Sequence, residues 1–523
     1  MSETLRGGGF FERESMRKLL FWLIFAVGLF ARLYRFGAVP NGLNQDEAFA
    51  GYEAWSLLHY GIDTAGYHNP VYLTAWGSGM NALETYLMIP FIALFGLKVW
   101  VIRLPQVIVA CLSLPAAYGL VKRAVDERAG RTAMLLLAVC PWHIILSRWG
   151  LESNLAPGFL LFGLYFFVRA AENERFLPLS ALMYGLSLYT YATIWPFVPV
   201  IIALQLAYCM AYKKIRFSRY LLLFVLILFV MAAPLLLFLL VNYGFLDEIR
   251  TPLFSVPKLL YMRSGELSLS EGKNKLWQLF QIFILQNDGN IWNSPEKFGL
   301  FYYITMPLAL LGFVFCIWKF IRGLREGGYE PVSLLAVQFL AGLPLGLLLR
   351  ANATKINLLF IPLILFAALG VYALSVRIRR RVLTAAVCLY AVLFIGFEGY
   401  YFTDYDAATR ECFSCGLEQA LEVAEEKGDT VYMDGSIYYT EVLFYAQTPT
   451  DVFRDTVQYA EYPAPFLRPV SFDRFRFGID FSQTDETAAC ILPVGADTAA
   501  LEEKGFTFES FGNYTVAYKE SKK

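Results

Sequence analysis

The chain has 523 residues, 57% of them hydrophobic and 17% charged, with a mean hydropathy of +0.49. That is too apolar for a soluble globule of this size, so the composition indicates a polytopic membrane protein. Lys plus Arg and Asp plus Glu number 44 each, and this zero balance excludes the basic surplus that a nucleic-acid footprint requires.

In chain order, Arg17 and Lys18 precede an apolar run from Leu19 to Ala31. The run lacks a small-x-small cleavage site and continues into Arg32-Leu33-Tyr34-Arg35, so it reads as a retained anchor rather than a removed signal. Asn41-Gly42-Leu43-Asn44-Gln45-Asp46-Glu47-Ala48-Phe49 follows at once. Two adjacent carboxylates at the mouth of a span are costly to desolvate, which makes Asp46 and Glu47 candidates for chemistry.

Stretches of roughly 17–25 mostly apolar residues, the length a span needs, fall near 17–37, 102–121, 132–148, 154–170, 176–193, 195–212, 217–242, 299–319, 332–349, 355–376 and 382–402. The expectation is about eleven transmembrane helices. Lys122-Arg123 with Arg128 and Arg131, Arg169 with Arg175, Lys213-Lys214 with Arg216 and Arg219, Lys319 with Arg322 and Arg325, and Arg377 with Arg379-Arg380-Arg381 occupy alternate loops. The positive-inside rule makes these cytoplasmic. The N-terminus is then inside, and 38–101, 148–153, 243–298, 350–354 and 403–523 are outside. The loop 243–298 carries Arg250, Lys258, Arg263, Lys273, Lys275 and Lys297, but loops this long cross largely regardless of charge. The apolar piece Met80 to Leu97, which includes Asn81 and Glu84, is assigned to the interface, because a span there would invert every later loop.

From about Thr403 charge, Gly and Pro return and no further span follows. Residues 429–433 and 489–493 read as buried strands, 416–427 and 497–504 as helices, and 505–518 as a hairpin around Gly512-Asn513. The expected architecture is therefore an α-helical membrane domain, 1–402, with a small external α/β domain, 403–523. Cys111, Cys140, Cys209, Cys316 and Cys388 lie in apolar segments as small core or lipid-facing residues. Cys412-Phe413-Ser414-Cys415 reads as a redox pair or local disulfide, or as incidental thiols.

The polar groups at membrane depth converge on the external side. They are Asp46 and Glu47, Arg148 and Glu152, Tyr189 and Tyr191, Gln286-Asn287-Asp288, and Arg350 with Lys355. A partly desolvated carboxylate can act as general base for a hydroxyl, and cations at the same depth suit an anionic leaving group such as a lipid phosphate. Taken singly, each is equally well a helix-end charge solvated by headgroup water. Arg32 and Arg35 pair with the acids or snorkel to the interface. His68 lines the site or is a solvated loop residue. No glycine-rich phosphate loop is present, and Asp404-Tyr405-Asp406 has no nucleotide-binding domain before it. A divalent metal, if one is held, would take Asp46 and Glu152 as oxygen ligands.

The ordered set Arg32-Leu33-Tyr34-Arg35, Gly42-Leu43-Asn44-Gln45-Asp46-Glu47-Ala48, Phe95-Gly96, Arg103-Leu104-Pro105, Ser147-Arg148 with Glu152, and Tyr189-Thr190-Tyr191 resembles the GT-C glycosyltransferases that use polyprenyl-phosphate sugars. The similarity is to the protein O-mannosyltransferase and aminoarabinose-transferase group, over roughly residues 17–402. It implies Asp46 as the base with Glu47 beside it, Glu152 as the second-loop acid, and Arg350 or Lys355 at the phosphate. His68-Asn69-Pro70 stands where the family commonly has a double proline, and Lys355-Ile356-Asn357 replaces its Arg-Tyr.

The sequence thus leads to an inverting transferase in a bacterial plasma membrane. A polyprenyl-phosphate sugar is its donor, a hydroxyl its acceptor and the bilayer its solvent. A transporter or flippase would place charges near the midplane within repeats, and neither is seen. A scaffold explains the last residues but not the external acids.

Overall fold

The computed structural model describes residues 4–262, 272–379, 381–478, 481, 484–485 and 487–520, with side chains from residue 14 onward. Arg263 and Arg380, both used in the loop-charge reading, lie outside the described residues.

The chain is mostly helical. Among the described residues, six helical segments are long and apolar enough to cross a membrane: Leu104–Ala124, Glu152–Ala170, Arg219–Asn242, Thr305–Glu326, Asn357–Arg377 and Arg381–Phe413. Leu83–Phe95, Phe197–Ala211 and Ser333–Leu348 are apolar but shorter. The first helix, α1 (Thr4–Leu33), contains the expected anchor.

Several expected spans are divided, and proline accounts for the breaks. The stretch 132–148 is two helices, Glu127–Ala138 and Pro141–Leu146, with Pro141 opening the second. Proline is preset for a first turn but cannot continue a preceding one. Pro344 likewise divides 332–349 into Ser333–Gly342 and Leu345–Leu348.

The tightest helix pair is Thr305–Glu326 against Phe360–Arg377. A Cβ on Gly312 would stand 1.7 Å from the Phe366 carbonyl oxygen, and one on Gly370 would stand 2.1 Å from that of Leu308. Glycine at both positions lets the backbones touch, the usual device where lipid supplies no hydrophobic drive between helices.

Helix α2 (Gln45–Tyr60) starts at a capping box. Asn44 Oδ1 accepts from Asp46 N at 2.9 Å, and Asn44 N donates to Glu47 Oε1 at 3.0 Å. Helix α3 (Leu83–Phe95) has 13 residues, short of the roughly 20 that a bilayer core needs.

The C-terminal region folds around a seven-stranded mixed sheet. Its order is Thr507–Phe511, Tyr514–Tyr518, Ala488–Pro493, Thr430–Met433, Phe475–Phe477, Pro469–Phe472, Gln458–Tyr459. Strand Thr430–Met433 runs parallel to both its neighbours, and the terminal hairpin turns at Gly512, whose φ is +56°. The helices Leu417–Lys427 and Ala499–Glu503 fall where the pattern put them. Helices Tyr439–Ala446 and Thr450–Thr456 and the strands at 458–477 carry no comparable pattern.

This region is seated on α2. Tyr52 Oη donates to the Thr448 carbonyl at 2.5 Å, and Ser56 and Thr450 share a hydroxyl contact at 2.7 Å. Leu43 N donates to the Phe413 carbonyl at 2.5 Å, and Asn44 Nδ2 to that of Cys412 at 3.3 Å. Gly42 has φ +97°, and a Cβ there would meet the Phe413 oxygen at 1.8 Å, so the approach requires glycine. Cys412 and Cys415 are free thiols, and the loop they bracket packs against the segment leading into α2.

Candidate active site

Glu47 is wholly buried at the first turn of α2 and is bound from three directions. Arg103 donates from Nε to Oε2 at 3.0 Å and from Nη2 to Oε1 at 2.5 Å. Gly150 N donates to Oε2 at 2.8 Å, and Asn44 N completes the set. Arg103 also donates to the carbonyls of Pro40 and Gly42. Glu47 therefore ties the start of α2 to Arg103 and to the loop at Gly150. Its two oxygens are taken up by four N–H donors.

Arg148 is likewise fully engaged. Its five N–H groups meet five carbonyls: Nε to Val39, Nη1 to Ala31 and Arg32, Nη2 to Tyr34 and Arg35. The guanidinium caps the end of α1, with the Tyr401 and Phe402 rings 5.4 and 5.1 Å away. No donor remains for a phosphate. Arg32 neither pairs with the acids nor snorkels; it is buried and donates to the Gly28, Leu137 and Ala138 carbonyls and to His143 Nδ1 at 2.6 Å. His68 is exposed, with Nδ1 2.8 Å from the Gly61 carbonyl oxygen.

Asp288 and Asn352 fold the turn that presents Lys355. Asp288 Oδ2 accepts from Ala353 N at 2.8 Å, and Asn352 Oδ1 from Lys355 N at 2.8 Å. Asp288 also accepts from Asn293 and Ser294, so its task is to shape this loop. Tyr189 Oη donates to the Met231 carbonyl at 2.6 Å, anchoring one helix to the next.

A cavity of about 420 Å³ is lined by three of the expected residues, Glu152, Tyr191 and Lys355, together with Asn81 and Ser78. Trp195, Phe238, Leu239, Leu259 and Leu349 also line it. Glu152 Oε2 accepts from Asn81 N, tying the segment at Glu152 to the strand just before α3. Arg350 lines a second hollow with Asn274, Trp277 and Gln281.

Glu84, in the first turn of α3, is the acid that sequence reading passed over. It is 2% exposed, and neither carboxyl oxygen has a hydrogen-bond partner among the described residues. Burial, foremost, and then the charges of Glu152, Glu47 and Asp46 push its proton affinity well above the ordinary carboxylate range. Asp46 thus stands within the field of the same cluster. The one signal available was an acid alone in an apolar helix, which at the bilayer is by itself a functional indication.

Asp404 pairs with Lys297 at 2.6 Å, and Asp406 with Arg410 at 3.6 Å. Among the described residues no group of three or more His, Cys, Asp and Glu side chains could hold a metal ion.

The family described as dolichyl-phosphate-mannose-protein mannosyltransferase matches residues 83–238, the stretch that carries Glu84, Arg103, Arg148 and Glu152. The chain is similar in structure to ArnT from Cupriavidus metallidurans in the apo state, with a TM-score of 0.58 at 13% identity, covering 97% of this chain and 98% of that one. ArnT bound to undecaprenyl phosphate gives 0.57 at 12%, covering 95% and 97%. The archaeal oligosaccharyltransferase AglB from Archaeoglobus fulgidus, in complex with an inhibitory peptide and a dolichol-phosphate, gives 0.50 at 12%, covering 84% and 64%. No curated protein matches the chain. The chain shares the fold of ArnT.

Proposed function

We propose that the chain is an inverting glycosyltransferase that moves a monosaccharide from a polyprenyl phosphate to a hydroxyl acceptor on the non-cytoplasmic side of a bacterial plasma membrane. The observation that carries this reading is the two-natured cavity, lined by Glu152, Tyr191 and Lys355 and also by Trp195, Phe238 and Leu259. A polyprenyl phosphate has the matching halves, an anionic head and an apolar tail. That ArnT has been solved with undecaprenyl phosphate bound supports the same donor class.

In this reading Asp46 takes the proton of the acceptor hydroxyl as its oxygen attacks the anomeric carbon. The bond from that carbon to the phosphate oxygen breaks on the opposite face, and the lipid phosphate leaves with the bonding electrons, its charge offset by Lys355. The lipid tail lies along Trp195, Phe238 and Leu259. The N-terminus is cytoplasmic, and the C-terminal sheet lies outside. Lipid extraction of the purified protein followed by mass spectrometry tests the donor. A co-purified polyprenyl-phospho-sugar is expected, and the absence of any binding to such a lipid on direct addition would overturn the reading.

A further inference from the structure

We propose that Asn81 and Glu84 form the recognition site for the transferred sugar, and that this sugar is uncharged and carries adjacent hydroxyls. The inference rests on the donor reading above and narrows it to a chemical class.

Asn81 ends the strand Met80–Asn81 and Glu84 lies in the first turn of α3, and both stand beside Glu152, which accepts from Asn81 N and whose charge acts on Glu84. They are 1% and 2% exposed. Asn81 Nδ2 and Oδ1 and Glu84 Oε1 and Oε2 all lack a partner among the described residues. Leaving such a group buried and unpaired costs about 1–3 kcal/mol, and folded proteins seldom tolerate several in one place. Trp149 Nε1, Ser153 Oγ and Asn154 Nδ2, from the segment around Glu152, are unpaired as well. The backbones here are fixed, since Glu152 holds Asn81 N and a Cβ on Gly150 would lie 3.0 Å from Glu84 Oε1. The polar tips are therefore presented by a firm frame, and Asn81 faces the same cavity as Glu152 and Lys355.

The chemistry of these tips selects a ligand. A carboxamide offers donors and an acceptor, and a protonated carboxyl offers one of each. Sugar hydroxyls also donate and accept, so adjacent hydroxyls satisfy such a pair reciprocally. Burial among Glu152, Glu47 and Asp46 keeps the Glu84 proton in place. The same acids repel a sugar carboxylate. Lys355 serves the phosphate, and the amide and acid serve the ring.

The test compares two lipids on the full-length protein in detergent: undecaprenyl phosphate and the same lipid carrying a neutral hexose. Wild type is expected to bind the hexose lipid more tightly than the bare one. Asn81→Ala and Glu84→Ala are expected to weaken only the hexose lipid, by about tenfold, the equivalent of roughly 1.4 kcal/mol. Glu84→Gln keeps a donor and an acceptor and should stay within about threefold of wild type. Because the alanine variants remove buried polar groups and can fail to fold, Glu84→Gln and a uronic-acid version of the lipid on wild type supply independent readouts. Equal loss for both lipids, no loss for either, or tight binding of the uronic-acid lipid overturns the inference. Should wild type bind neither undecaprenyl lipid, the donor reading itself falls, and this inference with it.

Discussion

Arg103 sets two of its N–H groups on the two oxygens of Glu47, at 3.0 and 2.5 Å, with both side chains fully buried. Removing one partner of such a pair strands a charge and costs about 3–5 kcal/mol. Glu47→Gln and Arg103→Ala should therefore lower the unfolding temperature in detergent, and Arg103→Lys should not rescue it, because an ammonium cannot make the forked contact. An Arg103→Lys protein as stable as wild type would show that the pair is not what holds the start of α2.

Asp46 is expected to behave oppositely. A positioned general base contributes about 10²–10⁴-fold in rate, so Asp46→Asn should lower kcat by that order while leaving the unfolding temperature within a degree or two, about the noise of a surface substitution. Two neighbouring acids then separate cleanly into one needed for turnover and one needed for folding. Full activity of Asp46→Asn in a purified assay would falsify the assignment of the base.

Arg148 and Lys355 give a similar contrast among the cations. Arg148→Lys should lose several of the five carbonyl contacts that hold the end of α1. At about 1.5–3 kcal/mol for each charged hydrogen bond lost, the effect is on stability, and any folded fraction should keep its KM for the donor. Lys355→Gln should leave stability near wild type and raise the KM for the lipid donor by about 10–100-fold, the same energy expressed as affinity. Arg350→Gln, in the second hollow, should change KM less than threefold, within the roughly 0.5 kcal/mol range of peripheral substitutions. Donor titrations of the three variants decide the matter.

These contrasts also mark what a sequence can convey. Apolar runs and alternating loop charges were legible because bilayer thickness and charge asymmetry act on composition directly. The meeting of Glu152, Tyr191 and Lys355 at one cavity was legible as shared depth along the chain. What depth could not convey was partnership. Arg148 and Lys355 are equivalent in a string of letters, yet one has all its donors filled by the end of α1 and the other lines the cavity. Glu84 was overlooked because an acid near the interface looks solvated until packing removes the water. The breaks at Pro141 and Pro344 were readable in principle, but unbroken apolar runs of spanning length outweighed them.

Glu441 supplies a pH test of how the C-terminal sheet is held to the first loop. Its carboxyl is buried, accepts from Ser414 Oγ at 2.7 Å and is pushed up to about 8 from an ordinary 4.5, chiefly by burial. Ser414 belongs to the Cys412–Cys415 turn, whose Phe413 carbonyl receives Leu43 N beside Asp46. Because the folded state holds this proton more tightly than the unfolded chain, its contribution is complete below pH 4.5 and is lost as pH rises through about 8. The loss is worth roughly 1.4 kcal/mol for every tenfold difference in proton affinity. Glu53 and Asp63, on and after α2, are raised by burial and share the sign. The unfolding temperature should therefore be higher at pH 5 than at pH 9, and Glu441→Gln, permanently neutral, should have a shallower slope. A wild-type protein more stable at pH 9, or a variant with an unaltered slope, would mean that Glu441 is ionised in the folded protein and that the seam between sheet and loop is held by its backbone contacts alone.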